Sequence, residues 1–274
     1  MNHFVKLVNF EVKRFWKLFC TLLAVVVVAQ IVGAIVTSMQ YMGNAKEIMR
    51  LKQLMENEYV RDYGPYSMNN FLFSGYFILS VFFAAAILII YVFFVWYRDW
   101  LGKSSFIYRL LMVPTDRLNV YFAKLTTILL FVFLLVGMQI VLLEVVQQII
   151  QWIIPEQLWA EQGMFTYSTN DVLGILYPQT VLLFVLTYGI GATTVAVVFT
   201  AILMERSYHF KGIFMAAIYT VLSIVIITLP LIVNGVLNFF YYYELVLLMF
   251  VSTAIALGLA IYVANYLLKR KITV

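Results

Sequence analysis

Six strongly apolar stretches recur along this sequence, and each is long enough to form a helix that crosses a lipid bilayer. Roughly 20 apolar residues in α-helical form span the hydrocarbon core. The stretches lie at about 18–38, 71–97, 120–143, 174–204, 212–236 and 245–268. Hydrophobic residues make up 64% of the chain and charged residues only 11%, too few polar side chains to cover a soluble fold. The sequence predicts an all-α integral membrane protein with six transmembrane helices, forming a single transmembrane domain over 1–274.

The distribution of basic residues predicts the orientation of these helices. If the N-terminus is cytoplasmic, fourteen of the eighteen Lys and Arg residues lie in cytoplasmic segments. The positive-inside rule therefore favours an N-in/C-in topology. The first apolar stretch is longer than the core of a secretory signal, so we expect a retained helix. A multi-pass protein of a bacterial plasma (cytoplasmic) membrane is the expected localisation.

The segment before the first stretch has the pattern of a basic amphipathic helix. One helical face combines apolar side chains with a single acid: Phe4, Leu7, Val8, Phe15 and Glu11. Four cations lie largely on other faces. Such a segment predicts an N-terminal interfacial amphipathic helix over 1–17, lying at the membrane surface before the first span. The alternative is a charged flank that only sets orientation.

Residues 98–119 are too charged to span a membrane and are long for a simple turn. Ser104 or Ser105 is placed to begin a short helix, and Pro114 ends it. This helix would present Phe106, Tyr108 and other apolar side chains beside Lys103 and Arg109. Two interpretations remain open: a helix that docks into a groove on a soluble partner, or an ordinary interfacial helix.

The same segment resembles the first cytoplasmic loop of the ABC-2 family of ABC transporter permeases. Asp99 and Gly102 match an acid and a glycine before a short coupling helix, with Asp where Glu is commoner. Pro114, Asp116 and Arg117 belong to a Pro-x-x-Arg turn, and Lys124 matches a lysine in the next span. The six spans, the amphipathic N-terminal helix and the cytoplasmic ends are also similar along the whole chain.

The resemblance implies a permease subunit that dimerises with a second copy or a similar permease to form one pathway. It also implies a separate ABC ATPase subunit that binds the coupling loop 98–119. The residues expected to couple the two subunits are Asp99, Gly102, Lys103, Phe106, Tyr108, Arg109, Pro114, Asp116 and Arg117. The sequence contains no GxxxxGKS/T phosphate-binding motif. We therefore expect no cofactor in this chain, and ATP and Mg in the partner.

Polar residues within or near the apolar stretches are candidates for a substrate pathway. They are Gln139, Glu144, Tyr188, Asn234 and Asn238. Each also has a simpler interpretation, because Glu144 lies near the membrane interface and the others can serve helix packing. Charges deep in the spans are scarce, which argues against a proton-coupled transporter. The pattern favours a hydrophobic or amphipathic substrate, such as a peptide or antibiotic, besides contact with membrane lipid.

Other functional classes receive less support from the sequence. Neither HExxH nor GxSxG occurs, so we expect no catalytic residues, no metal site and no enzymatic activity in the chain. The basic charge is explained by membrane topology, and no nucleic-acid partner is expected. Two alternatives to an exporter permease remain: a non-transporting membrane scaffold or sensor subunit, and an ATP-independent carrier or channel.

Overall fold

The computed structural model describes residues 3–101, 116–160 and 171–271, and these residues are helical with no strand. A short 3-10 turn covers Glu156–Leu158. The helices are α1 (His3–Lys52), α2 (Glu56–Tyr63), α3 (Met68–Leu72), α4 (Gly75–Leu101), α5 (Leu118–Ile153), α6 (Asp171–Leu176), α7 (Val181–Leu237) and α8 (Tyr242–Arg270). The predicted all-α class is confirmed for this part of the chain.

Five of the described helices are long and apolar enough to cross a membrane: α1, α4, α5, α7 and α8. Many of their large apolar side chains are exposed on the helix surfaces, including Leu79, Ile90 and Ile218. Exposed apolar helix faces of this length suit lipid rather than water as the surrounding solvent. The helices are compatible with a multi-pass membrane protein.

The 57-residue helix α7 folds back on itself at His209, whose φ of 52° and ψ of −127° are not helical. Thr200 donates a hydrogen bond to Ala260 of α8 (3.1 Å), and Ser252 of α8 donates one to Ile227 (3.5 Å). A straight helix would separate Thr200 from Ile227 by about 40 Å, yet their partners lie only about 12 Å apart along α8. Two arms of α7 therefore pack side by side against α8.

A glycine makes the reversal in α7 possible. A Cβ atom on Gly212 would overlap the carbonyl oxygen of Met204 and lie 2.9 Å from the Cα of Glu205. Only glycine permits this approach of the two arms. The reversal falls where Glu205, Arg206 and Lys211 interrupt the apolar sequence, between the predicted stretches 174–204 and 212–236.

Helix boundaries differ from the sequence prediction in two places. The separate interfacial helix predicted over 1–17 is wrong in its boundary, because α1 runs without interruption from His3 to Lys52. The sequence offers no Pro or Gly before Gly33 to break it.

The predicted stretch 174–204 begins too early, because α7 starts at Val181, after Pro178. The Thr180 side chain accepts a hydrogen bond from the Leu183 amide (3.3 Å) and so caps the start of this helix.

Two compact units are distinguished by their internal contacts. The first comprises Met1–Phe15, Leu88–Leu130 and Thr180–Val274, and the second comprises Trp16–Ile87 and Phe131–Gln179. The first unit contains three buried aromatic rings from three helices, Trp96, Tyr121 and Phe199, with centroids 5.6–6.5 Å apart. Tyr121 also donates a hydrogen bond to the Ala196 carbonyl (2.9 Å), which joins α5 to the first arm of α7.

The second unit packs parts of α1, α4 and α5 with the short helices that follow them. Gln30 of α1 donates hydrogen bonds to Ser80 of α4 (3.0 Å) and to Gln139 of α5 (3.0 Å). Elsewhere in the unit, the backbone amide of Tyr66 donates a hydrogen bond to the Leu158 carbonyl oxygen (2.8 Å). The Tyr66 carbonyl oxygen accepts one from the Ala160 amide (2.9 Å). Buried side-chain amides that satisfy one another stabilise helix packing in an apolar environment.

Gly33 allows α1 and α4 to approach closely within the second unit. A Cβ atom at this position would overlap the Cβ of Tyr76 and lie 3.0 Å from its Cγ. We expect Gly33→Ala to lower the melting temperature of the detergent-purified protein, with a loss of about 1–3 kcal/mol from overpacking. Gly43→Ala on the same helix has open space and serves as the matched control. Equal melting temperatures for the two variants would contradict this close approach.

Candidate functional site

A chain of five alternating charges is the most distinctive polar feature of the first unit. Its order is Arg98, Glu11, Lys124, Asp99 and Arg14, and each neighbouring pair lies within 3.0 Å. The two carboxylates and Lys124 are buried, whereas both arginine side chains are partly exposed. The residues come from α1, α4 and α5, so this charge cluster joins three helices.

Lys124 is the centre of the charge cluster and has no exposed surface. Its Nζ donates to Glu11 Oε1 (2.6 Å), Asp99 Oδ2 (2.6 Å) and the Val95 carbonyl oxygen (3.1 Å). An ammonium group has three protons, and here each has an acceptor. A buried lysine is tolerated only when it is paired in this way.

Each carboxylate links Lys124 to a different arginine. The second oxygen of Glu11 accepts from Arg98 Nη2 (3.0 Å), and the second oxygen of Asp99 accepts from Arg14 Nη1 (2.9 Å). Hydrogen bonds between oppositely charged groups are shorter and stronger than neutral ones. Both acids are therefore fixed from two sides, and a movement of α1, α4 or α5 at this level would have to break charged contacts.

The local sequence explains how these side chains meet. Glu11 is one turn before the buried Phe15 on α1, so the acid shares the packed face of that helix. Arg98 and Asp99 follow immediately after the apolar part of α4, and Lys124 lies in the second turn of α5. Arg117, at the start of α5, donates to the Leu268 carbonyl oxygen near the end of α8 (2.7 Å).

A second polar contact joins α4 to α7. The Tyr97 hydroxyl donates to the Glu205 carboxylate. The Arg206 guanidinium lies over the Tyr97 ring, 4.9 Å from its centroid, and 6.0 Å from the Trp100 centroid. Cation–π contacts of this kind hold side chains in place. The end of α4 is thus held by α1 and α5 through the charge cluster, and by α7 through Tyr97.

The charge cluster connects three helices through paired charges. Lys124 and the carboxylates of Glu11 and Asp99 are hydrogen-bonded within the cluster, whereas the buried Arg98 Nε has no hydrogen-bond partner in the described ranges of the chain. Among the described residues, no three His, Cys, Asp or Glu side chains are grouped to hold a metal ion. What the arrangement can do is transmit displacement between helices, because paired charges at low dielectric resist separation.

The predicted coupling residues divide between described and undescribed parts of the chain. Asp99 is buried in the charge cluster, Arg117 is bound to α8, and Asp116 is exposed at the start of α5. The others lie outside the described residues: Gly102, Lys103, Phe106, Tyr108, Arg109 and Pro114. Glu11 was not predicted as a site residue, although it is the one acid on the apolar face of the N-terminal segment.

The predicted pathway residues are not brought together by the described contacts. Gln139 is buried and exchanges hydrogen bonds with Gln30 (2.9 and 3.0 Å), while Glu144 is exposed. Tyr188 is half-buried beside Phe184, with ring centroids 4.5 Å apart. Asn234 accepts from the Phe240 amide (3.0 Å), and Asn238 ends α7 in a left-handed conformation, with φ 47°. These contacts serve packing and the α7–α8 turn, and the pathway role stays a prediction.

Comparisons with known proteins were made at three levels. No family model, no curated protein and no solved structure matches the chain.

Proposed function

We propose that this chain is the transmembrane permease subunit of an ATP-driven ABC exporter of the ABC-2 type. In this proposal two permease subunits form the pathway and a separate ATPase supplies the energy. The substrate is hydrophobic or amphipathic, such as a peptide or an antibiotic. The topology is N-in/C-in with six crossings, counting each arm of α7 as one, in a bacterial plasma membrane.

The observation that carries the proposal is the position of the charge cluster along the chain. Asp99 precedes the segment 102–115, and Lys124 follows it. Lys124 pairs with both Asp99 of α4 and Glu11 of α1. Arg117, at the start of α5, adds a hydrogen bond to α8. The helices on both sides of the proposed coupling segment are therefore anchored. A force applied to that segment by an ATPase would be passed to α1, α4, α5 and α8.

Buried charges make this connection stiff. Separating Lys124 from one acid would leave that acid with only its partly exposed arginine, and loss of a buried ionic partner costs about 3–5 kcal/mol. Purely apolar contacts between helices slide more easily, because dispersion forces have little directionality. A rigid link at the ends of a short docking segment is what a subunit driven by an external motor needs.

The proposal is tested by co-purification with the ATPase encoded beside this chain. The tagged wild type is compared with a variant in which Phe106, Tyr108 and Arg109 are changed to alanine. We expect the ATPase to co-purify with the wild type and to be reduced at least about tenfold with the variant, since interface anchors of these types commonly contribute more than 1.4 kcal/mol.

A control variant tests whether removing any set of aromatic residues reduces co-purification, or only removing those of the proposed coupling segment. Phe239, Tyr241 and Tyr243 are exposed near the α7–α8 turn and are changed together to alanine. This control is expected to retain the ATPase. Both variants are first checked for membrane insertion and for a melting temperature close to wild type.

The co-purification experiment also distinguishes the rival functions. If no ATPase associates with the wild type, the exporter has no source of energy and the proposal fails. Transport by the purified chain alone in vesicles would then support an ATP-independent carrier or channel. An ATPase that binds but shows no substrate-stimulated turnover would support a scaffold or sensor subunit.

A further inference from the structure

Three lysines form a stripe along the first turns of α1. Lys6, Lys13 and Lys17 are spaced with Phe10 at intervals of four, three and four residues, which places all four on one helical face. Glu11 of the charge cluster lies on the opposite side of the helix. The three lysines therefore take no part in the ion pairs that hold α1 to α4 and α5, although the Arg14 guanidinium lies 5.0 Å from the centroid of the Phe10 ring.

The stripe is open and cationic. All three lysines are exposed, and Phe10 is 39% exposed. In the part of the chain that the structure describes, no carboxylate lies within ion-pair distance of any of the three lysines. Three like charges on one face repel one another unless an anionic partner covers them.

The continuation of α1 indicates the nature of that partner. No charged residue occurs between Lys17 and Lys46, so the helix proceeds from the stripe directly into an apolar stretch long enough for a bilayer. Trp16 is 50% exposed at this junction, and Leu18 beyond it is 56% exposed. Tryptophan at such a boundary is typical of headgroup depth, so Lys17 beside it and Lys13 one turn before it lie where lipid phosphates are, and Lys6 lies farther out along the same face.

We infer that the stripe of Lys6, Lys13 and Lys17 binds the headgroups of acidic phospholipids in the leaflet that α1 enters. Phosphate oxygens would accept hydrogen bonds from the ammonium groups. This inference concerns α1 alone and stands whether or not the chain couples to an ATPase. A single lysine near an anionic membrane surface gives about a fivefold preference.

The test uses the detergent-purified full chain and native mass spectrometry. Phosphatidylglycerol and phosphatidylcholine with identical acyl chains are added in equal amounts, and the ratio of retained lipids is measured. We expect the wild type to favour phosphatidylglycerol, and a variant with Lys6→Gln, Lys13→Gln and Lys17→Gln to lose at least about tenfold of that preference. The corresponding triple lysine-to-arginine variant is expected to keep it.

A charge-matched control lies towards the other end of α1 and in α2. Lys46, Arg50 and Arg61 are exposed, and their change to glutamine removes the same charge from the chain. This control is expected to keep the lipid preference of the wild type. An equal loss in control and stripe variants would show that total charge is responsible and would overturn the site.

Two further results would also reject the inference. One is an unchanged lipid preference in the glutamine variant whose melting temperature in phosphatidylcholine micelles equals that of wild type. The other is an unchanged preference accompanied by loss of a co-purifying protein, which would assign the stripe to a protein partner instead.

Discussion

Changing Lys124 to methionine is expected to lower the free energy of unfolding by about 3–5 kcal/mol, because Glu11 and Asp99 would remain buried without their shared cation. Methionine keeps most of the side-chain length, so the loss measures charge rather than volume. The effect is read as the shift in the denaturation midpoint of the purified protein in mixed micelles. Arg14→Gln, at the partly exposed end of the charge cluster, should cost about 1 kcal/mol.

A triple variant distinguishes electrostatics from packing. Combining Lys124→Met with Glu11→Leu and Asp99→Val removes the buried charges together, and replacing a complete buried ion network by apolar residues of similar volume is often neutral or stabilising. We expect this variant to regain most of the lost stability while reducing substrate-stimulated ATPase activity. A triple variant as unstable as Lys124→Met would contradict the charge explanation.

Gly212→Ala is the second substitution for which a large effect is expected. Its Cβ would overlap the Met204 carbonyl oxygen and lie 2.9 Å from the Cα of Glu205, and neither backbone atom can move without opening the reversal. We expect a loss of about 3 kcal/mol, at the upper end of overpacking costs. The measurement is the melting temperature together with protease cleavage near His209.

A second glycine of α7 provides a control substitution that is not expected to destabilise the protein. Gly191 has open space around its Cβ position, so Gly191→Ala should be neutral or stabilise by up to about 1 kcal/mol through helix propensity. A destabilisation of similar size at both positions would mean that α7 does not tolerate alanine for a reason unrelated to the reversal.

Much of the helical architecture could be predicted from the sequence, because an apolar run of membrane length forms a helix in almost every case. The course of α8 follows from the predicted apolar stretch 245–268. The boundary of α1 was harder to predict, since an amphipathic segment and an apolar span are both helical. The helix continues between them because no Pro or Gly before Gly33 breaks it, and the contacts of Glu11 then hold its first turns against α4 and α5.

The candidate site was only half predictable for a similar reason. Asp99 and Lys124 were recognised because they match a short pattern around one loop. Glu11 lies 113 residues before Lys124. The residues around Glu11 do not predict a contact over that distance. Its one signal is an acid on an otherwise apolar helical face, which in a buried setting requires a cation from elsewhere.

That separation has a consequence for how the chain matures during synthesis. At about 5–20 residues per second, Lys124 is translated roughly 6–23 s after Glu11. During that interval Arg98 and Arg14 can pair with Glu11 and Asp99, but the buried ammonium group that joins the two pairs is still missing. A chain that ends between Asp99 and Lys124 would therefore hold two separate ion pairs, and no described residue of α5 would make a charged contact with α1 or α4 at this level.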